Sequence, residues 1–191
     1  MTIDLGRLPR RELRPGTQLY RIHAAEHGPW FFANHELGRF NPLAQATRGS
    51  CYWAEAPLGA WVEKFRTRMM LTDGDVRQQL VSKLELAHAI EVVDLTMRGG
   101  LAAGVTAALT AGASYDESQD VASRLQDLVS GVRYRVSHDL AQELIGVALF
   151  GPRGPQPESP FGSATTAPIG GDLIRVAEDA FGYRVLPFSA S

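Results

Sequence analysis

The chain has 191 residues, of which 45% are hydrophobic and 21% charged, with a formal net charge of -2. That length supports one domain with a proper core, and the near-neutral balance gives no reason to expect a direct nucleic-acid partner. A single cysteine, Cys51, rules out an intramolecular disulfide and fits a reducing compartment.

The opening MTIDLGRLPRRELRPG lacks the apolar run of a signal peptide, and no stretch reaches the roughly 18 apolar residues of a membrane span. The expectation is a cytoplasmic protein. The first fifteen or so residues are polar and read as a segment lying across the surface. QLYRIHA, from Gln18 to Ala24, is β-rich, and its apolar residues do not alternate cleanly, so both faces of the strand are expected to be covered. The stretch from GPWFFA to GRFNP, rich in Gly, Pro, Asn and aromatics, reads as an ordered loop. SCYWA is a short strand. Pro57 then favours a helix start, and the helix is expected to run to about Thr67.

VSKLELA and IEVVDLT read as two strands with a short connection at His88 and Ala89. The Ala-rich stretch from Leu101 to Leu109 is expected to be helical. Ser114 caps a further helix, with Asp116 and Glu117 in its first turn where the helix dipole favours acids. GVRYRVS, from Gly131 to Ser137, and IGVALFG, from Ile145 to Gly151, read as strands. The Pro- and Gly-rich run that follows reads as a long surface loop. A helix from Asp172 to Ala180 and a strand, YRVLP, complete the pattern. Strands and helices mix without regular βαβ alternation, which predicts an α+β fold with a mixed, mostly antiparallel sheet and flanking helices. Gly-x-Gly-x-x-Gly, P-loop and Cys-x-x-Cys signatures are missing, which argues against Rossmann and P-loop nucleotide enzymes.

Several side chains carry two readings each. Arg21 in mid-strand is either a solvent-facing arginine or an anion clamp, whose fork binds a diphosphate or carboxylate bidentately. Arg39, between Gly38 and Phe40, is either a loop arginine or one brought to a ligand by a tight turn. Tyr52 and Tyr134 are either core tyrosines with satisfied hydroxyls or rings that meet a flat heterocycle. Glu63 is either a surface glutamate paired with Arg66 or a carboxylate in a cleft, with Gly59 and Ala60 leaving room for a ligand or another backbone. An arginine, an aromatic and a carboxylate around one cleft would suit loss of a leaving group from a ribose. Cys51 reads as a small buried residue. The five histidines show no metal spacing. Ser137, His138 and Asp139 are sequence neighbours on an expected strand and cannot form a triad by themselves.

Taken in order, LYRIH, GRFNP, CYWAEAPLGAWVEKF, VVDLT, GVRYRVSHD and IGVALFG resemble the RES domain family, the toxins of bacterial RES–Xre toxin–antitoxin pairs. The likeness spans residues 19–151 of a single domain covering 1–191; the tail 152–191 is not mapped by it. The family is named for an arginine, a glutamate and a serine. The resemblance implies that Arg21 and Glu63 fill the first two roles, and that Tyr52 and Arg39 match further family positions. It implies a fold like that of ADP-ribosyltransferases and cleavage of the nicotinamide–ribose bond of NAD+. NAD+ would then be a substrate rather than a cofactor, with water or phosphate as acceptor, and an Xre-type antitoxin would be the partner. Two alternatives stay open: ADP-ribose transfer to a macromolecule, and a catalytically weakened binding partner of an Xre-type protein. The serine position departs from the family. Val136 occupies the slot two residues after Tyr134, and Ser137 follows. On a regular strand that shift sends Ser137 to the other face, so either a bulge re-aims it or the role is lost.

Overall fold

A computed structural model describes residues 3–43 and 46–187. Its twelve strands are β1 (Arg10–Leu13), β2 (Gln18–Ala24), β3 (Phe31–Phe32), β4 (Arg48–Ala54), β5 (Met70–Thr72), β6 (Gln79–Glu85), β7 (Ile90–Asp94), β8 (Gly131–Arg135), β9 (Ile145–Pro152), β10 (Gly154–Pro155), β11 (Ala164–Pro168) and β12 (Arg184–Leu186). The five α-helices are α1 (Pro57–Phe65), α2 (Asp73–Arg77), α3 (Ala107–Ala111), α4 (Asp116–Leu125) and α5 (Gly171–Phe181). Eight strands form one sheet in the order β1-β7-β8-β9-β4-β2-β6-β11. Only the β7–β8 pair within that sheet is parallel. The architecture is therefore α+β with a mixed, mostly antiparallel sheet, as expected.

The sheet is strongly curled, and chain length shows why. β6 ends at Glu85 and β7 begins at Ile90, so about 18 Å of extended chain is available between them. In a flat sheet the two strands, five places apart, would lie about 24 Å from each other. The sheet must bend to let the short link close. The concave face holds a core drawn from both ends of the sheet: Leu13, Ile90 and Val92 meet Leu19, Leu84 and Leu86 around Trp30, Trp53 and Phe161. A second core covers the other face of β7, β8 and β9, where Val93, Val132, Tyr134 and Phe150 pack on Val121, Ala122 and Leu125 of α4. A third joins α1 to β2 and α5 through Ile22, Ala60, Trp61, Phe65, Ala177 and Tyr183.

Several sequence expectations need correction. The polar opening segment includes β1, an edge strand paired antiparallel with β7. The Pro/Gly-rich run is not simply a loop, because β10 pairs with β3 and β11 adds an edge strand to β6. The Leu101–Leu109 stretch is not one helix. A 3-10 helix, Arg98–Ala103, ends at Gly104 with φ 87°, and α3 starts only at Ala107. β5 and α2 fill a stretch with no expected element; Thr72 and Asp75 cap α2 reciprocally. Ser114 does accept the N–H of Asp116, at 3.2 Å. The helix α1 stops at Phe65 rather than Thr67, and β8 stops at Arg135 rather than Ser137.

Candidate functional site

The helix α1 starts on Pro57 and buries Gly59, Ala60, Trp61, Val62 and Phe65 against the sheet and α5. Of the two small residues, Gly59 serves close packing: a Cβ there would lie 3.0 Å from that of Ala54, so its room is taken by the sheet, while Ala60 borders a cleft that Glu63 also lines. Glu63 lies at the border of this buried face and is only partly covered. It does not form the expected ion pair with Arg66. Instead Oε1 accepts the Tyr134 hydroxyl at 2.9 Å. Burial pushes the Glu63 carboxyl above the ordinary carboxylate range, against the pull of the Tyr134 bond and of the Arg66 and Arg39 charges. Burial and the Glu63 charge push the Tyr134 phenol well up in turn.

Arg21 comes from β2. Its Nη1 donates to Cys51 Sγ and to the Tyr52 carbonyl, both at 3.1 Å, and its buried Nε has no partner among the described residues. Cys51 is fully buried, as expected, and burial raises its thiol pKa. Tyr52 sits one position on in β4. Its hydroxyl accepts the Phe40 N–H and donates to Asn41 Oδ1, each at 2.9 Å. That hydroxyl is committed to the protein and holds the turn that carries Arg39. The Arg39 guanidinium lies 4.4 Å from the Tyr115 ring centroid, with Nη1 buried and unpartnered among the described residues. The Tyr134 ring is buried against Phe40, with centroids 4.8 Å apart, so only its hydroxyl reaches the site.

These residues border two adjoining hollows. A cleft of about 600 Å³ is lined by Arg21, His23, Tyr52, Glu63, Lys64 and Arg66, among others. A small hollow of about 20 Å³ is lined by Arg39, Tyr52, Glu63, Arg66, Tyr115, Tyr134, Ser137 and His138. Arg21 and Glu63, 42 positions apart in sequence (63 minus 21), thus face one cavity. Tyr52, Glu63 and Arg66 belong to both hollows.

Ser137 resolves differently from either alternative. β8 has already ended at Arg135, Val136 turns into the core, and its N–H bonds the Leu144 carbonyl at 2.9 Å. Strand alternation no longer governs the next residue, and Ser137 lines the small hollow with Glu63. Asp139 serves the turn: its carboxylate accepts the N–H groups of Ala141, Glu143 and Leu144 at 3.1, 2.7 and 2.7 Å. That role leaves no Ser-His-Asp relay. His138 lines the small hollow as well; burial and the Arg66 and Arg39 charges lower its pKa and favour the neutral imidazole. Sequence reasoning did not place Arg66, His138, Tyr115 or Lys64 at the site. Among the described residues no three His, Cys, Asp or Glu side chains converge as a metal site, and no helix is long and apolar enough to cross a membrane.

Among solved structures the fold is shared with a toxin–antitoxin system. A chain of the crystal structure of the M. tuberculosis MbcT–MbcA toxin–antitoxin complex superposes with a TM-score of 0.66 at 17% identity, over 88% of this chain and 92% of that one. No family profile and no curated protein matches the chain.

Proposed function

We propose that the chain is a RES-type toxin that severs the nicotinamide–ribose bond of NAD+. The observation that carries this reading is the lining of the larger cleft. Arg21, Lys64 and Arg66 surround a hollow in which Glu63 is the one acid among the lining residues. A dinucleotide diphosphate matches the guanidinium and ammonium groups, and its ribose would then approach the carboxylate. The glycosidic C–N bond breaks with its electron pair leaving on nicotinamide, and the ribose carbon gains oxocarbenium character. The ionised Glu63 carboxylate stabilises that developing charge, and its bond from Tyr134 holds it in place. Water or inorganic phosphate then adds to the ribose carbon and gives up a proton.

The fold shared with a chain of a toxin–antitoxin complex supports the toxin role and a protein antitoxin as partner; that this antitoxin is of the Xre type rests on the motif resemblance alone. The deciding experiment is a mass-spectrometric product assay on NAD+, with and without phosphate, comparing wild type with Glu63→Gln. Free nicotinamide with ADP-ribose or its 1-phosphate is expected from wild type, and intact NAD+ from the variant. Intact NAD+ after long incubation with wild type counts against the reading. Isotope-labelled NAD+ would expose transfer to a macromolecule as label on a large product. Expression without a partner is expected to arrest growth.

A further inference from the structure

Arg66 stands where an arginine is expensive. It follows the last residue of α1 with φ 50° and ψ -120°, a backbone state that glycine tolerates and a side chain resists. Only one other non-glycine residue among those described, Gln142, has a positive φ. The conformation is pinned from both sides. The Arg66 N–H donates to the Val62 carbonyl at 2.8 Å, and the Arg66 carbonyl accepts the Tyr183 hydroxyl at 2.6 Å. Strain of this kind, kept at a cavity wall, points to use.

The side chain is also short of partners. Its one hydrogen bond among the described residues is a long contact, 3.4 Å from Nε to the Glu63 carbonyl. It makes no ion pair among the described residues, although Glu63 lies three positions before it on α1. It borders the cleft of about 600 Å³, the small hollow of about 20 Å³ and a third pocket of about 730 Å³ that also includes Ser137, His138 and Phe181. In the small hollow it joins Arg39, whose buried Nη1 is likewise unpartnered. Two guanidinium groups with unused donors at one hollow form an oxyanion receptor, and a tetrahedral phosphate group fits such forks.

We propose that Arg66 is a phosphate-binding residue, acting with Arg39 beside Glu63. The phosphate group has two sources: the diphosphate of a bound dinucleotide or free inorganic phosphate. The dinucleotide arm rests on the NAD+-cleaving function; the inorganic-phosphate arm does not.

The test compares Arg66→Gly with Arg66 intact, both in the Glu63→Gln background to stop turnover. Glycine suits the φ of this position, so Arg66→Gly is expected to melt no lower than its parent. Calorimetry in phosphate-free buffer then measures NAD+ and nicotinamide riboside, which carries no phosphate. Loss of a charge-assisted contact should weaken NAD+ about tenfold or more and leave the riboside unchanged. Unchanged NAD+ affinity with loss of the melting shift caused by inorganic phosphate supports the proposal and assigns the site to free phosphate. Unchanged binding of both NAD+ and phosphate overturns it, as does equal weakening of NAD+ and the riboside. If the parent binds no dinucleotide, the NAD+ reading fails on its own and the phosphate shift decides: a shift lost with Arg66 supports the site, and a shift retained or never present overturns it. Arg66→Gln, which keeps the native Cβ, is read by the same comparisons should Arg66→Gly fold poorly.

Discussion

Gly146 lies opposite Tyr134 in the β8–β9 register, and the tyrosine ring rests over its bare backbone. A methyl group at that position would sit 2.5 Å from Tyr134 Cζ and 2.7 Å from its hydroxyl oxygen. Carbon contacts relax only near ~3.5 Å, so the ring must retreat by about 1 Å. Its route is blocked on one side by Phe40 at 4.8 Å between centroids. A shift of that size would stretch the bond to Glu63, now 2.9 Å, beyond useful length. Gly146→Ala is therefore expected to destabilise the fold by about 1–3 kcal/mol, as overpacking does. For a chain of this size that lowers Tm by about 2–12 °C. If Glu63 acts as proposed, loosening its seat should slow NAD+ cleavage about 100-fold, the usual effect of a 1 Å misplacement. Differential scanning fluorimetry and nicotinamide release measure the two effects. A Gly146→Ala protein with wild-type Tm and wild-type turnover would refute the idea that this glycine seats Tyr134 and, through it, the carboxylate.

Glu63 holds its proton more tightly in the folded protein than in the unfolded chain, so the stability this adds is full at low pH and is lost as pH rises through the raised folded pKa. Glu63→Gln, permanently neutral, is accordingly expected to melt above wild type at pH 8, with the gap closing toward pH 4; a constant gap across that range would contradict the shift. If the protein cleaves NAD+ as proposed, nicotinamide release followed against pH should fall on the acid side through the same raised pKa rather than in the ordinary carboxylate range. Arg133 donates to Glu55 at 2.6 and 3.0 Å and to fully buried Asp94 at 3.2 Å; Arg133→Met should cost about 3 kcal/mol or more in a urea melt, because Asp94 then keeps only Arg11 as an ionic partner among the described residues. Tyr183→Phe removes the 2.6 Å bond to the Arg66 carbonyl and should cost about 1 kcal/mol, seen as a Tm lower by about 2–4 °C.

The elements that could be read from sequence are those whose burial leaves a pattern. β9 is an apolar run in the middle of the sheet, its neighbours β2, β4 and β8 carry aromatic or β-branched residues, and α1 announces itself with Pro57 and a one-sided apolar face. The missed strands are edge or short pieces. β1 reads RREL and β11 reads ATTAP, strands exposed at nearly every residue, so no buried face imposes an apolar alternation on them. Arg21 and Glu63 stood out through the family likeness, and the sheet and α1 do bring them to one cavity. The reading of GVRYRVS as one strand runs two residues too far, because it extends alternation past the point where Asp139 ties off a turn, and the facing of Ser137 could not be settled from that pattern. Arg66 left no local trace. Its setting depends on a left-handed backbone angle and on Tyr183, 117 residues further along the chain.

The clasp between Tyr183 and Arg66 fastens the segment between α5 and β12 to the end of the helix that bears Glu63. The cavity wall is consequently assembled from parts that leave the ribosome far apart in time. During synthesis the clasp can close only after Tyr183 has emerged, 117 residues behind Arg66, so a growing polypeptide passes that whole interval with this wall unfinished.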